Sequence, residues 1–153
     1  MNLVVAIGNP QRGDDGVAFE VCRIAPPAGW ELLETMELTP EMGERIAAAS
    51  RVVFIDADYR AGEPSVAPLL GSPCSPGPLT HSLRPADLAA IARRLYAFKG
   101  EAWLLRVPGV DFGLGATLSP TAAENAIKAA ALLRRLLAPP SSAPEAQPPD
   151  PSP

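Results

Sequence analysis

The sequence predicts an α/β fold: a single three-layer domain in which a twisted, mostly parallel sheet lies between helices. Three observations predict it. The apolar stretches at 3–7 (LVVAI), 51–55 (RVVFI) and 102–107 (AWLLRV) are short and do not alternate, as expected of strands buried on both faces of a parallel sheet. Between them lie segments whose apolar residues recur at helical spacing, so β and α alternate along the chain. A chain of 153 residues can build one domain with a substantial core but is short for two.

The first strand stops at Gly8-Asn9-Pro10, where Gly and Asn tolerate the left-handed region and Pro fixes the next φ. Gly13-Asp14-Asp15-Gly16 then opens a helix with Val17, Val21 and Ala25 on one face, Ala18 and Cys22 beside them. Pro26-Pro27-Ala28-Gly29 breaks the chain before a second strand at 30–36. Thr39 is the expected N-cap of the next helix, with Pro40 at its first position and Met42, Ile46 and Ala49 facing inward. A third strand ends at Asp56, and the Pro- and Gly-rich stretch 61–79 holds at most a short edge strand at 65–70. Arg84-Pro85-Ala86-Asp87 starts a helix with Leu88, Ile91, Ala92 and Leu95 inward. After the strand at 102–107 and a glycine-punctuated loop, Ser119-Pro120 caps the last helix, whose expected inner face is Ala123, Ala126, Ile127, Ala130, Leu133 and Leu137. The domain thus spans 1–138, and 139–153 (PPSSAPEAQPPDPSP) reads as a disordered Pro-rich tail.

Thirteen Lys and Arg against seventeen Asp and Glu leave the chain mildly acidic, which argues against a nucleic-acid surface. The leading apolar run is too short for a signal segment or a membrane span, so a cytoplasmic protein without a membrane partner is expected. Cys22 and Cys74 have no metal or redox spacing and are expected to be reduced thiols.

Three residues stand out for chemistry: Asp15 after the first strand, Asp56 at the end of the third, and His81, the one histidine, before the third helix. Carboxyl ends of parallel strands gather on one edge of an α/β sheet, where ligands bind, so the two aspartates can meet. Each also has a plainer reading. Asp14 or Asp15 could simply cap the helix, although two in a row leave one spare; Asp56 could solvate a strand end, and His81 could bond within its loop. The glycine-bearing loop carries neither dinucleotide nor P-loop spacing, and two aspartates would repel phosphate. There is no G-x-S-x-G or H-E-x-x-H, and a Cys74–His81 nucleophile pair would lack an orienting third group. Turn or cap roles are expected for Gly8, Asn9, Gly13, Thr39, Gly62 and Asp111.

Four blocks, AIGNPQRGDDGVAFEV, LTPEMGERIAAASRVVFIDAD, HSLRPADLAAIARRLY and VPGVDFGLGATLSP, resemble in order those of the hydrogenase maturation proteases. These endopeptidases trim a C-terminal extension from the large subunit of nickel-iron hydrogenases. The resemblance runs from about residue 3 to about residue 137, and looks nearest to the branch serving soluble or NAD-linked hydrogenases. It implies the same sheet between helices and a divalent-metal site made by Asp15, Asp56 and His81, with Asp14 the competitor for the first role. It also implies a catalytic part for these residues and a precursor large subunit as partner. The nickel would arrive on that precursor and be held weakly by the free enzyme, which is expected to be a monomer. Ala6 and Ala18 stand where the family commonly has Gly; one lies in the strand and the other in the helix, so packing is expected to adjust without disturbing the site. Two other functions fit the same residues: a chaperone-like docking module that binds the large subunit without cutting it, and a small-molecule metallohydrolase.

Overall fold

A computed structural model describes residues 1–71 and 83–139. Residues 72–82, with Cys74 and His81 among them, and the tail from residue 140 lie outside the described residues. Five strands form one sheet in the order β2-β1-β3-β5-β4, where β1 is Asn2–Ile7, β2 Glu31–Thr35, β3 Arg51–Asp58, β4 Ser65–Pro68 and β5 Glu101–Pro108. The first four in that order run parallel. β4 is antiparallel on the edge beside β5, the position its proline demands. Helices α1 (Val17–Ile24) and α4 (Pro120–Leu137) cover one face; α2 (Met42–Ala47) and α3 (Pro85–Leu95) cover the other.

Strand alternation divides the core accordingly. Val4, Ala6, Val53, Ile55, Leu105 and Val107 meet α1 and α4, while Leu3, Val5, Val52, Phe54 and Leu104 meet α2 and α3. Every one of these side chains is buried, which is why the strands lack alternation in sequence. Ala6 and Ala18 are both fully buried in the α1/α4 layer, so each methyl group is a packed part of the core. Cys22 lies there too; burial, helped by the Glu34 charge, pushes its thiol up to about 11, leaving it unreactive.

The structure corrects several sequence expectations. Neither Asp14 nor Asp15 caps α1, because residues Gly13–Gly16 form a 3-10 turn and Gly16 occupies the cap position without a side-chain bond. Thr39 does not cap α2 through its side chain: the chain enters α2 by a turn in which Met42 N–H donates to the Thr39 carbonyl (3.0–3.1 Å for this and the Gly43–Pro40 bond). β3 continues two residues beyond Asp56, because β5 is equally long and the ladder runs on to the Asp58–Pro108 pair. In α3, Ala89 rather than Leu95 completes the inner face, and Leu95 is 72% exposed. α4 is rotated by about one residue from the expected stripe. It buries Ala122, Asn125, Ala126, Ala129, Ala130 and Leu133, while Ala123 is exposed and Ile127 is 62% exposed.

The α4 error has a physical origin. α1 and α4 share a core layer rich in small residues, Ala18, Ala25, Ala122, Ala126 and Ala129 among them, and an alanine-rich helix gives the apolar pattern little contrast. Asn125 points inward because its amide donates to the Pro108 carbonyl at the end of β5 (3.0 Å). Ile127→Ala is therefore expected to change the unfolding free energy by less than about 0.5 kcal/mol. Urea denaturation checks this; a loss above about 2 kcal/mol, the cost of emptying a buried isoleucine site, would contradict the observed face of α4.

Candidate active site

The carboxyl ends of β1, β3 and β5 form one edge of the sheet, and the loops that leave them build the site. Two of these loops clasp each other. After β1, the chain turns through Gly8 and Asn9 into the 3-10 turn; after β5, residues 109–118 lead to α4. Gly13 has φ of +55°, and a Cβ there would strike the Asp111 carbonyl. At Gly109 a Cβ would lie 2.6 Å from the Asp14 Cβ. Both glycines let the loops approach closely.

Asp14 is the bolt between them. It is fully buried, and its carboxylate accepts from Val110 N–H (2.8 Å), Asp111 N–H (2.9 Å), Ser119 N–H (2.7 Å) and the Ser119 hydroxyl (2.6 Å). Burial alone would raise its pKa, but these donors together hold it below the usual carboxylate value. The Ser119 oxygen also accepts from Ala122 N–H (3.1 Å), so one hydroxyl joins the cap of α4 to Asp14. The Asp14 backbone N–H donates to the Asp111 carbonyl (2.8 Å), completing the clasp.

Asp15 is left facing the edge. It is partly exposed, and the one hydrogen bond its carboxylate accepts from the described residues comes from Asn9 N–H (2.7 Å). Burial raises its pKa despite that bond and the Arg12 charge. Asp56 pairs in register with Ile7 of β1, directly below the loop that carries Asp15. Its carboxyl is pushed up to about 6, first by burial and then by the Asp15 charge, with Arg106 acting in the opposite direction. Asp15 and Asp56 thus share a field at the end of β1 and β3, and cation-binding would relieve their repulsion. Tyr59 feels the same field: burial, then Asp15 and Asp56, raises its pKa, and its ring lies 4.0 Å from that of Phe112.

Of the three expected site residues, the structure brings Asp15 and Asp56 to one edge, while His81 lies outside the described residues. Among the described residues there is no cluster of three or more His, Cys, Asp or Glu that could hold a metal by itself. Gly8, Asn9, Gly13 and Asp111 lie in turns as expected, and Gly13 and Asp111 also join the clasp, which was not expected: Gly8 N–H reaches the Thr35 carbonyl (3.0 Å), and the Asn9 side chain accepts from Gln11 N–H (2.9 Å). Sequence reasoning missed the neighbours Tyr59 and Arg106. The signals were an aromatic residue straight after DAD at a strand end and a lone Arg within the apolar run AWLLRV.

A parallel α/β sheet with an acidic pair at its carboxyl edge belongs to the class of domains that bind and transform ligands on that edge. Solved structures narrow the class. The [NiFe] hydrogenase maturation protease HycI from Thermococcus kodakarensis KOD1 superposes with a TM-score of 0.66 at 25% identity, over 89% of this chain and 91% of that one. HybD from the same species gives 0.63 at 20% identity, covering 90% and 99%. The hydrogenase maturating endopeptidase HybD from E. coli gives 0.63 at 16%, covering 90% and 92%. No protein-family model matches the sequence, and no curated protein matches it. The chain has the fold of the hydrogenase maturation proteases, and the resemblance carried by the four sequence blocks is borne out. Among the described residues no helix is long and apolar enough to cross a membrane.

Proposed function

We propose that this chain is an endopeptidase that removes the C-terminal extension from a nickel-loaded precursor of a nickel-iron hydrogenase large subunit. The observation that carries the reading is the division of labour between the adjacent aspartates. Asp14 is saturated by four donors, whereas Asp15 keeps most of its acceptor capacity and shares the edge with Asp56. That supports Asp15 over Asp14 as the ligand. With His81, Asp15 and Asp56 would supply two carboxylates and an imidazole, a donor set suited to a borderline cation and incomplete enough to leave positions for the precursor's own ligands. The nickel is then part of the substrate, held weakly by the free enzyme, and the enzyme acts as a cytoplasmic monomer.

In this mechanism the chain's residues act by position. The clasp around Asp14 fixes the loop bearing Asp15, the β1–β3 ladder fixes Asp56, and the precursor's metal docks between them and sets the scissile bond over the sheet edge. The reading is tested by incubating a purified, matched precursor with this protein, with and without nickel, and measuring its intact mass. Loss of a C-terminal peptide with nickel is expected from the unsubstituted protein and not from Asp15→Asn, Asp56→Asn or His81→Ala. Stable complex formation with unchanged mass would favour a docking module instead. Hydrolysis of small substrates without a precursor would favour the metallohydrolase.

A further inference from the structure

β5 is an interior strand, lying between β3 and β4. Toward α2 and α3 it presents Ala102, Leu104 and then Arg106; the first two are buried and the third is exposed. The helices cease to cover the sheet at this level. In register Arg106 stands beside Asp56, and the two charges interact. Yet the Arg106 guanidinium makes no hydrogen bond or salt bridge with any described residue, whereas those of Arg23, Arg45, Arg51 and Arg60 each have a partner.

A guanidinium in this place is costly for a site that receives only a cation, because it opposes the attraction of Asp56. The arrangement becomes favourable when the substrate brings an anion together with its metal. We propose that Arg106 is a specificity residue that grips a carboxylate of the precursor's C-terminal extension, holding the segment to be released while Asp15 and Asp56 face the nickel. The planar fork of the guanidinium matches a carboxylate in two parallel bonds, which an ammonium does not. The carboxylate is either the terminal one of the extension or that of an Asp or Glu side chain within it. This inference rests on the endopeptidase reading.

The test is steady-state cleavage of nickel-loaded precursor by the full chain, with Arg106→Ala, Arg106→Lys and, as a control for a general charge effect, Arg60→Ala. Arg106→Ala should raise KM about tenfold, the scale of one charge-assisted contact, with a smaller change in kcat. Arg106→Lys should recover part of the loss, and Arg60→Ala should match the unsubstituted protein. Precursors with an amidated C-terminus, or with Asp and Glu of the extension changed to Asn and Gln, identify the source of the carboxylate. The right neutral precursor should raise KM for the unsubstituted protein by a similar factor and add nothing to Arg106→Ala. Additive penalties, or a loss confined to kcat with a shifted pH profile, would overturn the proposal while cleavage by the unsubstituted protein upheld the endopeptidase reading. Absence of cleavage by the unsubstituted protein, with several matched nickel-loaded precursors, would instead overturn that reading.

Discussion

Asp14→Ala should lower the unfolding free energy by about 4 kcal/mol, because it strands four part-buried donors at once, each worth about 1 kcal/mol, the low end of the cost of an unsatisfied donor. Those donors are Val110 N–H, Asp111 N–H, Ser119 N–H and the Ser119 hydroxyl. In a domain of this size the loss corresponds to a fall in Tm of roughly 8–16 °C. Asp14→Asn should recover little, since its amide NH2 would face N–H groups that need an acceptor. Asp15→Asn is the internal control: the amide oxygen can still accept from Asn9 N–H, so its Tm should stay within a few degrees. Calorimetry of the three variants separates the roles. Equal losses at positions 14 and 15 would show that the clasp is not borne by Asp14. The sign with pH follows from the lowered pKa of Asp14: its contribution is present above the unfolded carboxylate value and is lost as pH falls through the lower folded value.

Asp56→Asn should do the reverse for stability while abolishing precursor processing. The raised pKa of about 6 means that the folded state disfavours ionised Asp56, through burial and the Asp15 charge. A shift from 3.8 to about 6 corresponds to roughly 3 kcal/mol. The neutral amide keeps part of the desolvation cost, so a gain of about 1–2 kcal/mol is expected at pH 7.5 in metal-free buffer. The sign is set by linkage. For a raised acid the relative stability is fully present below the unfolded value and is lost as pH rises through about 6. The advantage of Asp56→Asn over the unsubstituted protein should therefore vanish below about pH 4 and grow between pH 4 and pH 7. Denaturant unfolding at four or five pH values measures it. A pH-independent difference would show that Asp56 titrates normally and that the acidic pair is not coupled.

These two aspartates illustrate what the chain discloses before folding. The layers were legible because both faces of β1, β3 and β5 are buried and their apolar runs are unbroken; the edge position of β4 followed from the backbone chemistry of Pro68. Asp15 and Asp56 were legible because strand ends of a parallel sheet converge. The role of Asp14 was not, since its partners at Val110, Asp111 and Ser119 lie 96, 97 and 105 residues away, and the donors are mostly backbone groups without a side-chain signature. The inner face of α4 escaped for another reason: alanine is nearly neutral between core and surface, so Asn125, a polar residue, is inside while Ile127 is outside. Arg106 was visible as a letter, but its meaning depends on being in register with Asp56.

The long span of the Asp14 clasp also orders events during synthesis. Asp15 leaves the ribosome early, but the loop that braces it is not available until Ser119 has followed. At about 5–20 residues per second, roughly 5–20 s separate Asp14 from its last partner. A nascent chain displays Asp15 on an unbraced loop throughout that interval, so its carboxylate is not yet held toward the edge where Asp56 ends the β1–β3 ladder. The aim of Asp15 is therefore fixed late, with the first turn of the final helix, and any truncation that removes that turn leaves Asp56 in its ladder and Asp15 on a loop without its brace.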